Sequence, residues 1–311
     1  MYRKILVPLD QSRFAESALP AALSLAERSG GELHLVTVVS TLPSMAFSAP
    51  DDAGGPGWFD EGRRRGSAYL EEVAARIRDA GATGEVHTKV LSGAPVRMLH
   101  EWILKTGIDQ IVMTTHGRGF VKRLWLGSVA DGLIRDAPCP ILLWRPGSAS
   151  SDEGVDLKAR PGLRRILVPL DGSETSGAIV PWVSRLAGLH GIPVTLASVV
   201  VPPAGIGSSY LPHAAEAEVY RAPERSHLEK YLRSTGEQLG DQGIEVDTRV
   251  LTGGGAADEI LALASDIGAD LVALSTHGRG GVARMVVGSV ADKVIRGSES
   301  HVLVHREAGE V

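Results

Sequence analysis

The chain has a single cysteine, Cys139, in 311 residues, so no intramolecular disulfide forms and no cysteine-rich metal motif exists. A reducing compartment suits such a chain. An excess of basic residues is lacking too: 32 Lys and Arg stand against 37 Asp and Glu, for a formal net charge of -5 and a pI near 6.1. Without a basic footprint, nucleic acid is not expected as a partner. No stretch offers the roughly 20 apolar residues of a membrane span, and the apolar run of MYRKILVPLDQS is too short for a secretory signal. A soluble, cytoplasmic protein with no membrane partner is therefore expected. The phosphate-loop pattern GxxxxGK[ST] is missing, as is a cluster of acidic metal ligands beside a candidate base that would suit phosphoryl transfer. No catalytic residue and no metal ligand is expected.

What is present is a repeat. THGRGFVKRLWLGSVAD, Thr115 to Asp131, returns as THGRGGVARMVVGSVAD, Thr276 to Asp292. KILVPLD, Lys4 to Asp10, returns as RILVPLD, Arg165 to Asp171, and both repeats lie 161 residues from their first copies. The middles diverge, since RVLTGGGAADEI carries one residue more than KVLSGAPVRML. Between the copies, Arg145 to Gly162 is rich in Gly, Ser, Pro and charge and reads as a linker. At about 100–200 residues per domain, two domains follow: residues 1–146 and 163–311, joined by a linker at 147–162.

Within each unit, apolar runs alternate with helix-like segments. ILVPL, LHLVTVV, EVHTKVL, DQIVMTT and PILLWR read as the strands of the first unit. ILVPLD, VTLASVVV, EVDTRVL, DLVALST and HVLVH read as those of the second. Strand then helix, five times over, predicts an α/β fold: two tandem Rossmann-like domains, each a five-stranded parallel sheet with helices on both faces. Pro20 has to sit in the first turn of its helix or kink it. Ligands of such sheets settle outside the carboxyl ends of the strands, where the winding reverses. A strand order of 3-2-1-4-5 brings Asp10, after the first strand, to the loop after the fourth. That loop carries Thr115, His116, Gly117, Arg118, Gly119, Gly127, Ser128 and Val129. The second unit offers Asp171 and Gly172 with Thr276, His277, Gly278, Arg279, Gly280, Gly288, Ser289 and Val290. Glycines let a backbone approach a ligand closely, and a helix N-terminus favours a phosphate. Ser128 reads as the N-cap of the following helix, with Asp131 completing a capping box, and Ser289 with Asp292 repeats the pattern. The same residues also serve ordinary turns and caps, and duplication copies structure as faithfully as function.

These residues carry a resemblance. ILVPLD, the strands LHLVTVV and VTLASVV, and HGRG followed by GSVAD, in order and twice, resemble a tandem member of the universal stress protein family. ATP-binding members of that family carry a glycine, two residues, a glycine, nine residues, then glycine with serine or threonine. Gly117 with Gly127-Ser128, and Gly278 with Gly288-Ser289, match the later part; Thr114 and Ser275 stand where the first glycine would be. Gln11 also departs from its counterpart, Gly172. The resemblance implies that Asp10 and Asp171 hold a ribose, that the backbone of Val38 and Val199 faces adenine, and that the glycine loops with Ser128 and Ser289 hold phosphates. The cofactor so implied is ATP, with Mg²⁺ as a companion that Asp10 lies near enough to bind. His116 and His277 contact either phosphate or backbone, and Arg118, Lys122, Arg123, Arg279 and Arg284 are either phosphate partners or solvated charge.

Cys139, at the entrance to an apolar strand, reads as a buried, inert thiol. The segments SAPDDAGGPGWFDEGRRRG and PPAGIGSSYLPHAAEAEVYRAPERS read as long loops, with Trp58, Phe59, Tyr210 and Leu211 as candidates to cover a nucleotide or to pack against the other domain. Three functions stand in order: a nucleotide-binding stress-response regulator with little or no turnover, a slow ATPase or phosphotransferase, and a scaffold acting through its surface. The last strands, PILLWR and HVLVHR, are expected at a sheet edge. By the resemblance they pair the two units as a pseudo-dimer, with homodimer formation and unidentified protein partners beyond that.

Overall fold

The structure is a computed structural model that describes residues 1–40, 58–115, 126–145, 155–201, 214–276 and 287–306. It divides into two compact units, Met1–Gly162 and Leu163–Val311. The first runs β1 (Lys4–Pro8), α1 (Arg13–Glu16), α2 (Leu19–Ser29), β2 (Glu32–Val39), α3 (Trp58–Asp79), β3 (Val86–Ser92), α4 (Pro95–Thr106), β4 (Gln110–Thr114), α5 (Ser128–Asp136) and β5 (Ile141–Trp144). The second repeats the order with β6 (Ile166–Pro169), α6 (Glu174–Gly177), α7 (Val180–His190), β7 (Val194–Val200), α8 (Ala214–Gly240), β8 (Val246–Thr252), α9 (Ala256–Asp266), β9 (Leu271–Ser275), α10 (Ser289–Gly297) and β10 (His301–His305).

Every pairing within a unit is parallel, and the strand orders are β3-β2-β1-β4-β5 and β8-β7-β6-β9-β10. The expected 3-2-1-4-5 order is thus observed in both. Successive strand residues face opposite sides of a sheet, yet all five residues of β4 and of β9 are buried. Both faces of these central strands are therefore covered, which is why they read as unbroken apolar runs rather than alternating ones. The edge strand β3 carries exposed His87, Thr88 and Lys89 instead, charge of the kind that blunts an edge.

A carboxylate ties the start of each sheet together. Asp109 accepts from the backbone N–H of Arg3 at 3.0 Å and of Lys4 at 3.1 Å, and Asp270 does the same for Arg164 and Arg165. This repeated clasp fixes the first strand beside the fourth.

Two sequence expectations are corrected here. Residues from Trp58 onward are helical, not loop. The run EGRRRG, Glu61 to Gly66, reads from sequence as either a solvated loop or a helix start; it lies within α3, where Glu61 forms pairs with Arg64 at 2.8 Å and Arg65 at 2.9 Å along one helix face. Gly62 and Gly66 serve close approach: a β-carbon there would sit 2.9 Å from Val39 Cγ1 and 3.1 Å from Thr37 Cγ2, so these glycines let α3 lie against β2. Likewise α8 begins at Ala214, inside the second supposed loop, and carries Pro223 within it. Pro20 and Pro181 occupy the first turns of α2 and α7, where a missing N–H costs nothing.

Candidate functional site

The register places the site. Ile5 pairs with Gln110 and Leu6 with Ile111; continued, it sets Asp10 level with Thr115 at the carboxyl ends of β1 and β4. Ile166 with Leu271 and Leu167 with Val272 do the same for Asp171 and Thr276. The winding reverses between these strands, so each aspartate stands at a switch-point crevice. Val38 and Val199, both half-buried, lie near the carboxyl ends of β2 and β7, paired with Leu91 and Leu251.

Each aspartate is held by a serine that sequence reasoning passed over. Ser12 donates to Asp10 Oδ1 from its backbone N–H at 3.0 Å and its hydroxyl at 2.5 Å. Ser173 donates to Asp171 Oδ1 at 2.9 and 2.6 Å. The same hydroxyls accept from the backbone N–H of Ala15 and Ser176, capping α1 and α6. The signal was legible as Asp-x-Ser at the end of a strand, but helices of four residues are too short to show a period.

Between aspartate and serine, the backbone turns through the left-handed region, with φ +66° at Gln11 and +83° at Gly172. This region costs a side-chain-bearing residue about 1–2 kcal/mol, of which glycine's greater unfolded freedom offsets about half. Gln11→Gly is thus expected to stabilise the first unit by about 0.5–1 kcal/mol, and Gly172→Ala to destabilise the second by a similar amount. Urea denaturation reads both; a loss of stability in Gln11→Gly would count against this account of the turn.

Opposite, the loop after the fourth strand is closed by one backbone bond in each unit. Gly127 N–H donates to Thr115 O at 2.7 Å, and Gly288 N–H to Thr276 O at 2.8 Å. A β-carbon at Gly288 would sit 3.0 Å from that carbonyl, so a larger residue there would press on the closing bond. Helices α5 and α10 start immediately after. The expected N-caps are corrected: Gly127 and Gly288 are the N-caps, with extended backbone, while Ser128 and Ser289 are the first helical residues and exposed. The first intrahelical bond is Asp131 N–H to Gly127 O at 2.8 Å, so the helix has no acceptor of its own for the N–H groups of Ser128, Val129 and Ala130. No capping box forms, because Asp131 and Asp292 turn instead to Arg135 and Arg296 at 3.0 and 2.9 Å.

Thr114 and Ser275 are buried and end strands β4 and β9. Neither has a positive φ, a state confined among the described non-glycine residues to Tyr2 and Gln11. The backbone at these positions therefore does not require the glycine of the family motif. His116, Gly117, Arg118, Gly119, Lys122, Arg123, His277, Gly278, Arg279, Gly280 and Arg284 lie outside the described residues, as do Tyr210 and Leu211. Cys139 is buried, and burial pushes its thiol up to about 12. Iodoacetamide at pH 8 is expected to leave the native thiol intact and to alkylate it only on unfolding; modification of the folded protein would contradict its burial.

Two doubly wound parallel domains in one chain, each with an aspartate level with the threonine whose carbonyl closes the following loop, define a tandem Rossmann-like α/β architecture. The chain belongs to the universal stress protein family, whose model matches residues 1–145 and 162–306. It is 26% identical over 279 residues to a universal stress protein of Mycobacterium tuberculosis strain H37Rv, covering 89% of this chain and 86% of that one. A universal stress protein of Methanocaldococcus jannaschii is 30% identical over 146 residues, covering 46% of this chain and 82% of its own. Among solved structures, a universal stress protein from Archaeoglobus fulgidus DSM 4304 matches with a TM-score of 0.67 at 22% identity, over 99% of this chain and 98% of that one. No helix among the described residues is long and apolar enough to cross a membrane.

Proposed function

We propose that the chain is a nucleotide-dependent regulator of the stress response that holds an adenine nucleotide, ATP, in each crevice and turns it over slowly or not at all. The observation that carries this reading is one geometry built twice: an aspartate organised by serine, level with a threonine whose carbonyl closes the glycine loop, beside a helix start whose first N–H groups have no acceptor within the helix. In this reading Asp10 and Asp171 accept from the ribose hydroxyls, and the main chain at Val38 and Val199 meets the adenine edge. The amides of Ser128 to Ala130 and of Ser289 to Ala291 receive phosphate oxygens at the positive end of a helix, with Mg²⁺ on the phosphates. The Oδ1 of each aspartate already accepts two serine hydrogen bonds, which makes it a poor general base for water.

The test is incubation with γ-labelled ATP and Mg²⁺ followed by recovery of bound and free nucleotide. Intact ATP retained on the chain is the expected result. Sustained phosphate release at the order of 1–1,000 per second common to enzymes would make the protein an ATPase.

A further inference from the structure

A second donor cluster lies at the other end of the first sheet. Glu32 opens β2, His34 follows two residues on, and His34 pairs in register with His87 of β3. A spacing of two within a strand and direct opposition across a parallel pair put all three side chains on one face of the sheet. His34 Nε2 is 3.0 Å from Glu32 Oε1, His87 Nε2 is 3.6 Å from Glu32 Oε2, and the two imidazoles stack at 4.8 Å between centroids. One ligand atom from each of the three lies within 4.8 Å of the others.

We propose that Glu32, His34 and His87 form a site for a borderline divalent transition ion, with Zn²⁺ the ion whose chemistry fits best. Two imidazoles and one carboxylate are the donor set of a three-ligand zinc site that keeps its fourth position for water. The exposure grades accordingly, from a buried His34 side chain at 10% through Glu32 at 25% to His87 at 47%, so the cluster is anchored on one side and open to solvent on the other. Ligands about 2.0–2.2 Å from a tetrahedral ion stand roughly 3.3–3.6 Å apart, a contraction that side-chain rotation of the half-exposed His87 supplies. Glu32 is also steadied by Lys4 Nζ at 3.3 Å, and His87 is 3.4 Å from the exposed Glu85, which adds a further carboxylate at the rim. On binding, the neutral His34 ring carries its single proton on Nδ1, so Nε2 offers its lone pair to the ion in place of the contact with Glu32.

The second unit shows that the fold itself does not call for this cluster. Its matching positions are Pro193, Thr195 and Asp247: Thr195 pairs in register with Asp247 as His34 does with His87, and Asp247 is engaged by Arg249 at 2.8 Å. As a set of half-exposed ion pairs, the first unit's cluster contributes little stability. The strand β2 runs on from His34 to Val38, four residues or about 13 Å away at about 3.3 Å per residue, so the cluster is separate from the crevice residues. Sequence reading expected no metal ligands because the pairing of β2 with β3 brings together histidines that are 53 positions apart.

The test uses the tag-free full chain, stripped with a chelator and freed of nucleotide, and titrated with Zn²⁺ in a calorimeter. One equivalent is expected, and Co²⁺ in its place should show the intense visible bands of a tetrahedral site. His87→Ala and Glu32→Gln, both at solvent-accessible positions, should each weaken Zn²⁺ by more than the roughly 10–100-fold that loss of an outer partner costs, with unchanged circular dichroism. No uptake by the wild-type chain, or an equivalent that persists undiminished in either variant, would overturn the proposal.

Discussion

Alanine at both Asp10 and Asp171 is expected to weaken ATP binding by about 10- to 150-fold at each crevice. A hydrogen bond to a charged group contributes about 1.5–3 kcal/mol, and 1.4 kcal/mol is tenfold in affinity. The aspartates stand at the carboxyl ends of β1 and β6, level with the threonines that anchor the opposing loops. Loss of the carboxylate also frees the serines that donate to it, so Asp→Asn at both positions serves as the control. Asparagine keeps an Oδ1 acceptor for Ser12 and Ser173 while removing the charge. Calorimetry with ATP on chains of matched circular dichroism should place the asparagine variant between wild type and alanine. A change under threefold in the alanine variant would remove the aspartates from the site.

Arg76→Ala should destabilise the first unit by about 1.5–3 kcal/mol. The Glu16 carboxylate is 8% exposed; it accepts from Arg76 Nη1 at 2.9 Å and from Tyr69 Oη at 3.0 Å. Without the guanidinium, a nearly buried charge keeps one neutral donor, and the arginine stem no longer covers apolar surface. At about 2–4 °C per kcal/mol for a unit of this size, the first unit's melting transition should fall by roughly 3–12 °C. The second unit manages the same place differently. Tyr231 Oη lies 3.0 Å from where a β-carbon on Gly177 would be, so no carboxylate is buried there. Removing both charges, in Glu16→Gln with Arg76→Met, should therefore cost less than Arg76→Ala alone, since no unpaired ion is left behind. An equal or larger loss in the double variant, by urea denaturation, would contradict this.

Much of the fold was legible because its causes are local. The β-branched and aliphatic runs of β1, β2 and β4 are strands with buried middles, and their repetition at a fixed offset announced two units. The crevice was legible as well, since Asp10 and Gly127 flank strands that the winding rule makes neighbours. The misreadings have a common origin in glycine and serine, whose roles depend on what lies across the contact. Gly62 and Gly66 looked like loop but are the faces where a helix touches β2. Ser128 looked like a cap, yet Gly127 took the extended conformation and left the serine hydroxyl exposed. Ser12, which does cap a helix, was overlooked because α1 is only a turn long. The clasps made by Asp109 and Asp270, and the cluster of Glu32, His34 and His87, depend on strand register and leave no periodic trace in the chain.

The most direct test of the central claim is to denature the freshly purified protein, separate the small molecules released and quantify adenine nucleotide per chain by mass. The account predicts close to two equivalents, or the same number after titration of stripped protein with ATP and Mg²⁺. No nucleotide on purification and no uptake on titration would contradict it and leave a scaffold that acts through its surface.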